Sequence, residues 1–293
     1  MFNSRIHEVW DVCVLPGKYW YYGLVVSSFV ILFVALQHRR EWKLLVLQLF
    51  VASIIHPIEL IILTTNGYTY LPGITNTNTD VTLGAYISDF LIVPATAVLI
   101  SAFSLSWRYR LIFAAIFTGI DWYFTVLGIY QHFWWKSIYT GIGLLILYQI
   151  SSFLWGQLSK NYHSFVFRLF SIYLAYFALQ SAFTFALNQG GELFILQMAS
   201  IPLGPLKTMS ILSSLYQVII GILITLFIGT RMWFRYRLIN LCLIVVVNWL
   251  LEYAGIFVSK GDFVVQHLLI VPLVATIIVS ILFKKARLNY LFP

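Results

Sequence analysis

The amino-acid sequence predicts an all-α integral membrane protein, a polytopic bundle of about nine transmembrane helices (eight or nine). The first observation is composition, because 61% of the 293 residues are hydrophobic and 10% are charged, whereas soluble domains carry roughly 25% charged residues. The second is the length of the apolar runs, about 20 residues each, which matches a membrane helix and exceeds the strand of a membrane barrel. A helix also pairs its backbone groups internally, as the bilayer core requires.

The apolar runs follow one another along most of the chain. Residues 1–18 mix charged and apolar side chains, and we interpret them as a retained, amphipathic lead-in rather than a cleaved signal peptide. The predicted spans that follow are 19–37, 44–64, 83–106, 111–130, 137–156, 169–187, 208–230, 238–258 and 264–283. The span at 169–187 is the weakest, because Gln180 interrupts it.

Alternate connections between these spans are rich in Lys and Arg. The basic connections include 38–43, 107–110, 231–237 and 284–287, while the connection at 65–82 has no basic residue. By the positive-inside rule, the basic connections face the cytoplasm, which places the N-terminus outside and the C-terminus in the cytoplasm. This topology also explains the net charge of +8, so the sequence predicts the lipid bilayer as a partner and no nucleic acid.

A short sequence repeat suggests a duplication. Arg-Tyr-Arg-Leu-Ile occurs at 108–112 and again at 235–239, an offset of 127 residues. The offset also superimposes several spans, so we predict two parallel repeats of four spans, at 19–136 and 137–262, followed by a ninth helix and a basic cytoplasmic tail at 263–293. Recurrent basic and aromatic residues at span ends are the alternative explanation.

Acidic residues inside the predicted spans are the strongest functional signal, because each costs about 2.5–3.5 kcal/mol to insert. All are expected in the outer half of the bilayer or near its middle. His56 lies three residues before the first of them and Asn248 four residues before the last, so each pair shares a helix face. The candidate binding residues are therefore Glu59, Asp89, Asp121, Glu252, His56 and Asn248.

A structural role is the alternative for each acid taken alone. Asp121 is placed to hydrogen-bond Thr118 or Thr125 of its own helix. A metal site is not expected, because one histidine and one carboxylate at 56–59 are too few ligands, and the chain has only two cysteines. We predict no cofactor and assign no catalytic residue.

Several short motifs resemble a family of small, uncharacterised multi-pass membrane proteins from spore-forming Gram-positive bacteria. They are Asp89 with Pro94, the basic turn at 107–110, and Asp121-Trp122 followed by the turn at 127–135. The resemblance covers about residues 20–156 and, more weakly, the second half, where Asn248 stands in place of Asp121. It implies a bacterial cytoplasmic membrane and a setting in sporulation or germination, and it supplies no activity.

Three functions remain open from the sequence. The first is a transporter or permease with an outward-facing acidic cavity for a proton, a cation or a cationic solute. The second is a membrane scaffold or sensor that binds a membrane protein partner, with the polar residues serving helix packing. The third is a lipid-modifying membrane enzyme with His56 and Glu59 as acid and base; no Ser-His or paired-aspartate motif supports it, so an enzyme is the less expected reading.

Overall fold

The computed structural model describes residues 16–75, 77–160, 164–191, 194–196, 205–229, 234–254, 257–259 and 264–288. Most of the predicted lead-in at 1–18 and the end of the predicted tail lie outside these residues. Within the described ranges the chain is all-α apart from two short strand pairs, which confirms the all-α part of the prediction.

The helices match the predicted spans closely in number and place within the described residues. In chain order they are α1 (Gly17–Arg39), α2 (Lys43–Thr64), α3 (Thr77–Tyr86), a π-helical segment (Ile87–Ile92), α4 (Val93–Ala102), α5 (Trp107–Val126), α6 (Ser137–Leu158), α7 (Phe165–Gly191), α8 (Pro205–Gly229), α9 (Phe234–Tyr253) and α10 (Val264–Lys285). The α3, π and α4 segments are continuous and form one rod.

Five helices in the described chain are long and apolar enough to cross a membrane. They are α1, α2, the rod at Asp80–Ala102, α6, and α7 over Phe165–Ala186. The last of these is the span that looked weakest from sequence. The exposed face of α1 carries Val26, Phe29 and Phe33, each at least 60% exposed, as expected for a helix that faces lipid rather than water.

Two strand pairs interrupt the helical pattern, and the sequence did not predict them. Strand β1 (Tyr68–Tyr70) pairs antiparallel with β2 (Tyr130–His132), in the register that places Tyr68 opposite His132. Strand β3 (Phe194–Leu196) pairs antiparallel with β4 (Phe257–Ser259). The predicted span at 111–130 therefore ends early: α5 stops at Val126, and Gly128 turns the chain with a φ of 70°, which glycine adopts without steric cost.

Helix α2 lies at the centre of the bundle and packs against α4, α6 and α7. Its buried side chains Leu47, Phe50 and Val51 belong to the main apolar core. Small residues such as Ala35 on α1 and Ala97 on α4 are fully buried, which lets neighbouring helices approach closely. A second, smaller core of mainly aromatic residues lies between the ends of these helices and the β1–β2 pair.

The π-helical segment lies directly before Pro94 on the same rod. Pro94 has no backbone N–H, so it cannot donate the α-helical hydrogen bond to the carbonyl of Phe90, four residues earlier. The side-chain amide of Gln48 on α2 donates to that carbonyl at 2.9 Å and to the carbonyl of Leu91 at 3.3 Å. The extra residue in a π turn changes which side chains face the bundle, and Asp89, inside this segment, is fully buried.

Candidate functional site

His56, Glu59 and Asp89 converge where α2 meets the π-helical segment. His56 and Glu59 lie three residues apart on α2, and both are buried, in agreement with the shared helix face predicted from their spacing. His56 Nδ1 lies 3.1 Å from Asp89 Oδ2. The Glu59 and Asp89 carboxyl groups interact electrostatically with each other. We call these three residues the acidic cluster.

The β1–β2 pair covers the acidic cluster with aromatic rings. Side chains alternate along a strand, and cross-strand partners share a face, so Tyr68, Tyr70, Tyr130 and His132 all lie on the inner side. The Tyr70 hydroxyl donates to Glu59 Oε1 at 2.6 Å, and the Tyr68 hydroxyl also bonds the Glu59 carboxyl. Ring centroids lie 4.9 Å apart for Tyr70 and Tyr130 and 5.0 Å apart for Tyr68 and Tyr130.

The strand tyrosines act only as hydrogen-bond donors toward this carboxyl. Burial, and after it the charge of Glu59, raises the pKa of Tyr68 and of Tyr70 well above the usual value for tyrosine. Both hydroxyls therefore keep their protons throughout the physiological pH range.

Asp121 belongs to a separate hydrogen-bonded group beside the acidic cluster. Its Oδ1 lies 3.0 Å from His132 Nε2, and its Oδ2 accepts a hydrogen bond from the Thr140 hydroxyl at 3.0 Å. Trp135 Nε1 donates to the same Thr140 oxygen at 2.9 Å. Asp121 thus joins α5, β2 and α6, and both of its carboxyl oxygens are satisfied.

The expected partners of Asp121 on its own helix were wrong. The Thr118 hydroxyl donates to the carbonyl of Ala114, and the Thr125 hydroxyl donates to the backbone carbonyl of Asp121. Threonine in a helix commonly bonds the carbonyl four residues earlier, which leaves the Asp121 side chain free to reach β2 and α6.

Two cavities adjoin Tyr70 and Tyr130. The larger, of about 150 Å³, is lined by Glu59, Tyr68, Trp135 and apolar side chains of α2 and α6. The smaller, of about 90 Å³, reaches Tyr21 and Asp121. Both are lined by Tyr70, Ser88, Tyr130 and Thr140. For scale, an engineered cavity of about 150 Å³ in another protein holds one benzene molecule.

The acidic cluster lacks a full complement of positive charge within the described chain. Ion pairs in that part of the chain involve only His56 with Asp89 and His132 with Asp121. Two carboxyl groups of the cluster therefore face a single imidazole. Asp89 Oδ1 is buried and has no described N–H or hydroxyl donor, although buried polar atoms are normally paired. The Asp89 carboxyl also shares a side-chain hydrogen bond with the Glu59 carboxyl.

The structure brings together three of the predicted binding residues, His56, Glu59 and Asp89, and places Asp121 in the adjoining cavity. Asn248 and Glu252 belong to α9, but their side chains lie outside the described part of the structure. Among the described residues, no group of three or more His, Cys, Asp or Glu side chains is arranged to hold a metal ion.

Sequence reasoning missed the aromatic and hydroxyl groups of the site. The alternation in Tyr68-Thr69-Tyr70 and in Tyr130-Gln131-His132 is the signal that could have found them, since it is the pattern of strands with one buried face. Runs of three residues are too short for that pattern to be distinctive.

Comparison with protein-family models, with curated proteins and with solved structures gave no significant match. The site geometry is therefore the basis for assigning a function.

Proposed function

We propose that the chain is a multi-pass membrane protein that binds a small organic cation beside the acidic cluster, as the binding step of a transporter or permease. The observation that carries the proposal is the pairing of two buried carboxyl groups with one imidazole, next to a cavity walled by tyrosines and a tryptophan. A buried carboxylate is costly unless it is paired, so a bound cation or a proton would complete the charge balance.

Aromatic walls favour an organic cation over a bare metal ion. Cations bind over the faces of Trp and Tyr rings, and cages of such rings recognise methylated ammonium groups. Trp135 and Tyr68 have ring centroids 5.8 Å apart, and both line the larger cavity beside Glu59. The cavity volume suits a compact cation such as tetramethylammonium.

The membrane setting of the proposal is a bacterial cytoplasmic membrane, with nine spans, the N-terminus outside and the C-terminus in the cytoplasm. Charge in the connections supports this orientation, and it places the acidic cluster toward the outer side. The five apolar membrane-length helices of the described chain support several crossings. The family resemblance adds the proposal of a role in sporulation or germination.

A duplication is also part of the proposal. Helices α5 and α9 begin at 107 and 234, and α6 and α10 begin at 137 and 264, which is the offset of the repeated pentapeptide. These bounds favour repeat units that begin at α2 and α7, with α1 as the additional helix, over units that begin at residues 19 and 137. In such a repeat, Phe183 and Tyr216 correspond to His56 and Asp89, so the acidic cluster would occur once per chain.

A solute sensor is the second candidate, and a contact between the two halves favours it. Tyr86 packs against the His56 ring with centroids 5.0 Å apart. The same Tyr86 stacks on Phe185 of α7 at 4.0 Å and donates to the Ser181 carbonyl at 3.1 Å. A ligand that moves His56 would therefore act on α7 through Tyr86. A sensor would bind the cation without moving it across the membrane.

Binding of tetramethylammonium to the purified full chain, measured by isothermal titration calorimetry, tests the proposal. We expect Glu59→Gln to weaken binding by about tenfold or more, because a charged partner contributes roughly 1.5–3 kcal/mol. Glu41→Gln, which removes a carboxylate from the α1–α2 turn, is the matched control and should bind like the parent chain.

Equal affinity in the parent chain and in Glu59→Gln, with both variants folded, would overturn the proposal. Uptake of the same cation into proteoliposomes then separates the two candidates. A transporter accumulates it, and a sensor binds it without uptake.

A further inference from the structure

A second polar site lies where the α1–α2 turn meets the end of α10. A pocket of about 630 Å³ is lined by Arg40, Glu41, Trp42, Lys43, Lys285 and Arg287. It is far larger than the two cavities near the tyrosine strands, and its lining is basic where theirs is acidic. Four basic side chains face one carboxylate.

The basic side chains of this pocket are not neutralised within the described chain. The ion pairs in that part of the chain are the two histidine–aspartate pairs described above, and neither involves the pocket. Lys285 is held at the rim by Trp42, with Nζ 4.6 Å from the ring centroid, a cation–π distance that leaves the ammonium free to bind an anion.

Two of these basic residues lie at turns that follow a helix. Arg40 and Arg287 have φ values of 53° and 57°, a left-handed conformation that is uncommon for residues other than glycine. Both residues end a helix, a position at which glycine is the usual choice. Asn66 and Ser104 adopt the same conformation after other helices, so the turn accounts for the backbone, and the charge of the two side chains carries the argument for a ligand.

The helix ends around the pocket also favour an anion. Lys43 is the first residue of α2, whose first turn contains no acidic residue. The positive end of the helix dipole and the Lys43 ammonium therefore lie together, an unfavourable arrangement that an anion would relieve. Since the turn joins two membrane-length helices, the pocket lies at a membrane boundary, where lipid phosphates are concentrated.

We propose that this pocket binds a phosphate group, supplied by the headgroup of an anionic phospholipid or by a free phosphate. Basic pockets between membrane helices are suited to anionic headgroups, and guanidinium groups bind phosphate through paired hydrogen bonds. Arg40 and Arg287 bind the phosphate oxygens, and Lys43 and Lys285 add charge. The bound phosphate therefore links the α1–α2 turn to the end of α10.

The test measures binding of short-chain phosphatidylglycerol to the full chain in zwitterionic detergent, with short-chain phosphatidylcholine and inorganic phosphate as separate probes. We expect phosphatidylglycerol to bind at least tenfold more tightly than phosphatidylcholine, and the double variant Arg40→Gln/Arg287→Gln to lose most of that preference. The control Arg108→Gln/Arg110→Gln removes the same charge from another basic connection and should retain it.

The probes distinguish the source of the phosphate. Binding of inorganic phosphate that competes with phosphatidylglycerol supports a free anion as an occupant, while binding of the lipid alone supports a headgroup. Glu41→Gln provides a variant in which binding should strengthen, so the proposal is testable even if the double variant does not fold. Equal binding of both lipids by the parent chain, or an undiminished preference in the folded double variant, would overturn it.

Discussion

Single buried carboxyl groups in this protein differ in how completely their hydrogen bonds are satisfied. Asp121 accepts from Thr140 and pairs with His132, whereas Asp89 has one oxygen bonded to His56 and one without a described donor. A satisfied group stabilises the fold, and an unsatisfied one is a candidate for ligand binding. The two aspartates should therefore respond differently to substitution.

Asp121→Ala should lower the free energy of unfolding by about 2–3 kcal/mol, because it leaves His132 and the Thr140 hydroxyl without their shared partner in a buried environment. Thermal unfolding in detergent measures the change. Thr118→Ala is the control, since the Thr118 hydroxyl bonds only its own helix and its loss should matter little. A stability of Asp121→Ala equal to that of the parent would contradict a structural role for this carboxyl.

At the scale of elements, the π-helical segment depends on a hydrogen bond between helices. Gln48→Leu should lower the free energy of unfolding by about 1–3 kcal/mol, because the Phe90 carbonyl loses the side-chain donor that bonds it. Pro94 has no N–H to replace that donor. Gln37→Leu, at an exposed position of α1, is the matched control and should have little effect on thermal unfolding.

The double variant Gln48→Leu/Pro94→Ala tests the cause directly. Alanine supplies the missing N–H, so the second substitution should recover part of the lost stability, and the two effects should not be additive. Additive effects would show that Gln48 stabilises the bundle by some other contact. Because the α-register would then replace the π turn, the recovered variant should also bind tetramethylammonium more weakly.

The sequence predicted those features that depend on residues close together in the chain. Apolar run length located the helices, and the spacing of His56 and Glu59 correctly placed both on one buried face. The partner of His56 could not be predicted, because Asp89 lies on another helix, in a π-helical segment that the sequence did not reveal. The contact between the tyrosines of β1 and β2 could not be predicted either, because the two strands lie far apart in the chain.

At the scale of the whole molecule, the β1–β2 pair covers the acidic cluster, and the basic pocket lies at the α1–α2 turn. The proposed orientation separates these two sites across the membrane. In intact bacterial cells, with Cys13 and Cys242 replaced, a membrane-impermeant thiol reagent should label a cysteine at Gln131 and not one at Arg108. Both positions are exposed. The reverse labelling pattern would show that the chain has the opposite orientation. Labelling at Arg108 after permeabilisation is the control for the reactivity of that cysteine.

The pairing of β1 with β2 has a consequence for the order in which the chain assembles. Tyr68 and His132 are joined in the folded chain, yet the rod of α3 and α4 and the whole of α5 are synthesised between them. Closing so long a segment costs entropy that contacts must first offset, so we expect the strand pair to form late, after those helices have packed. A nascent chain that stops before Tyr130 carries His56, Glu59 and Asp89 but only part of the aromatic wall, and it acquires a closed site only when translation passes His132.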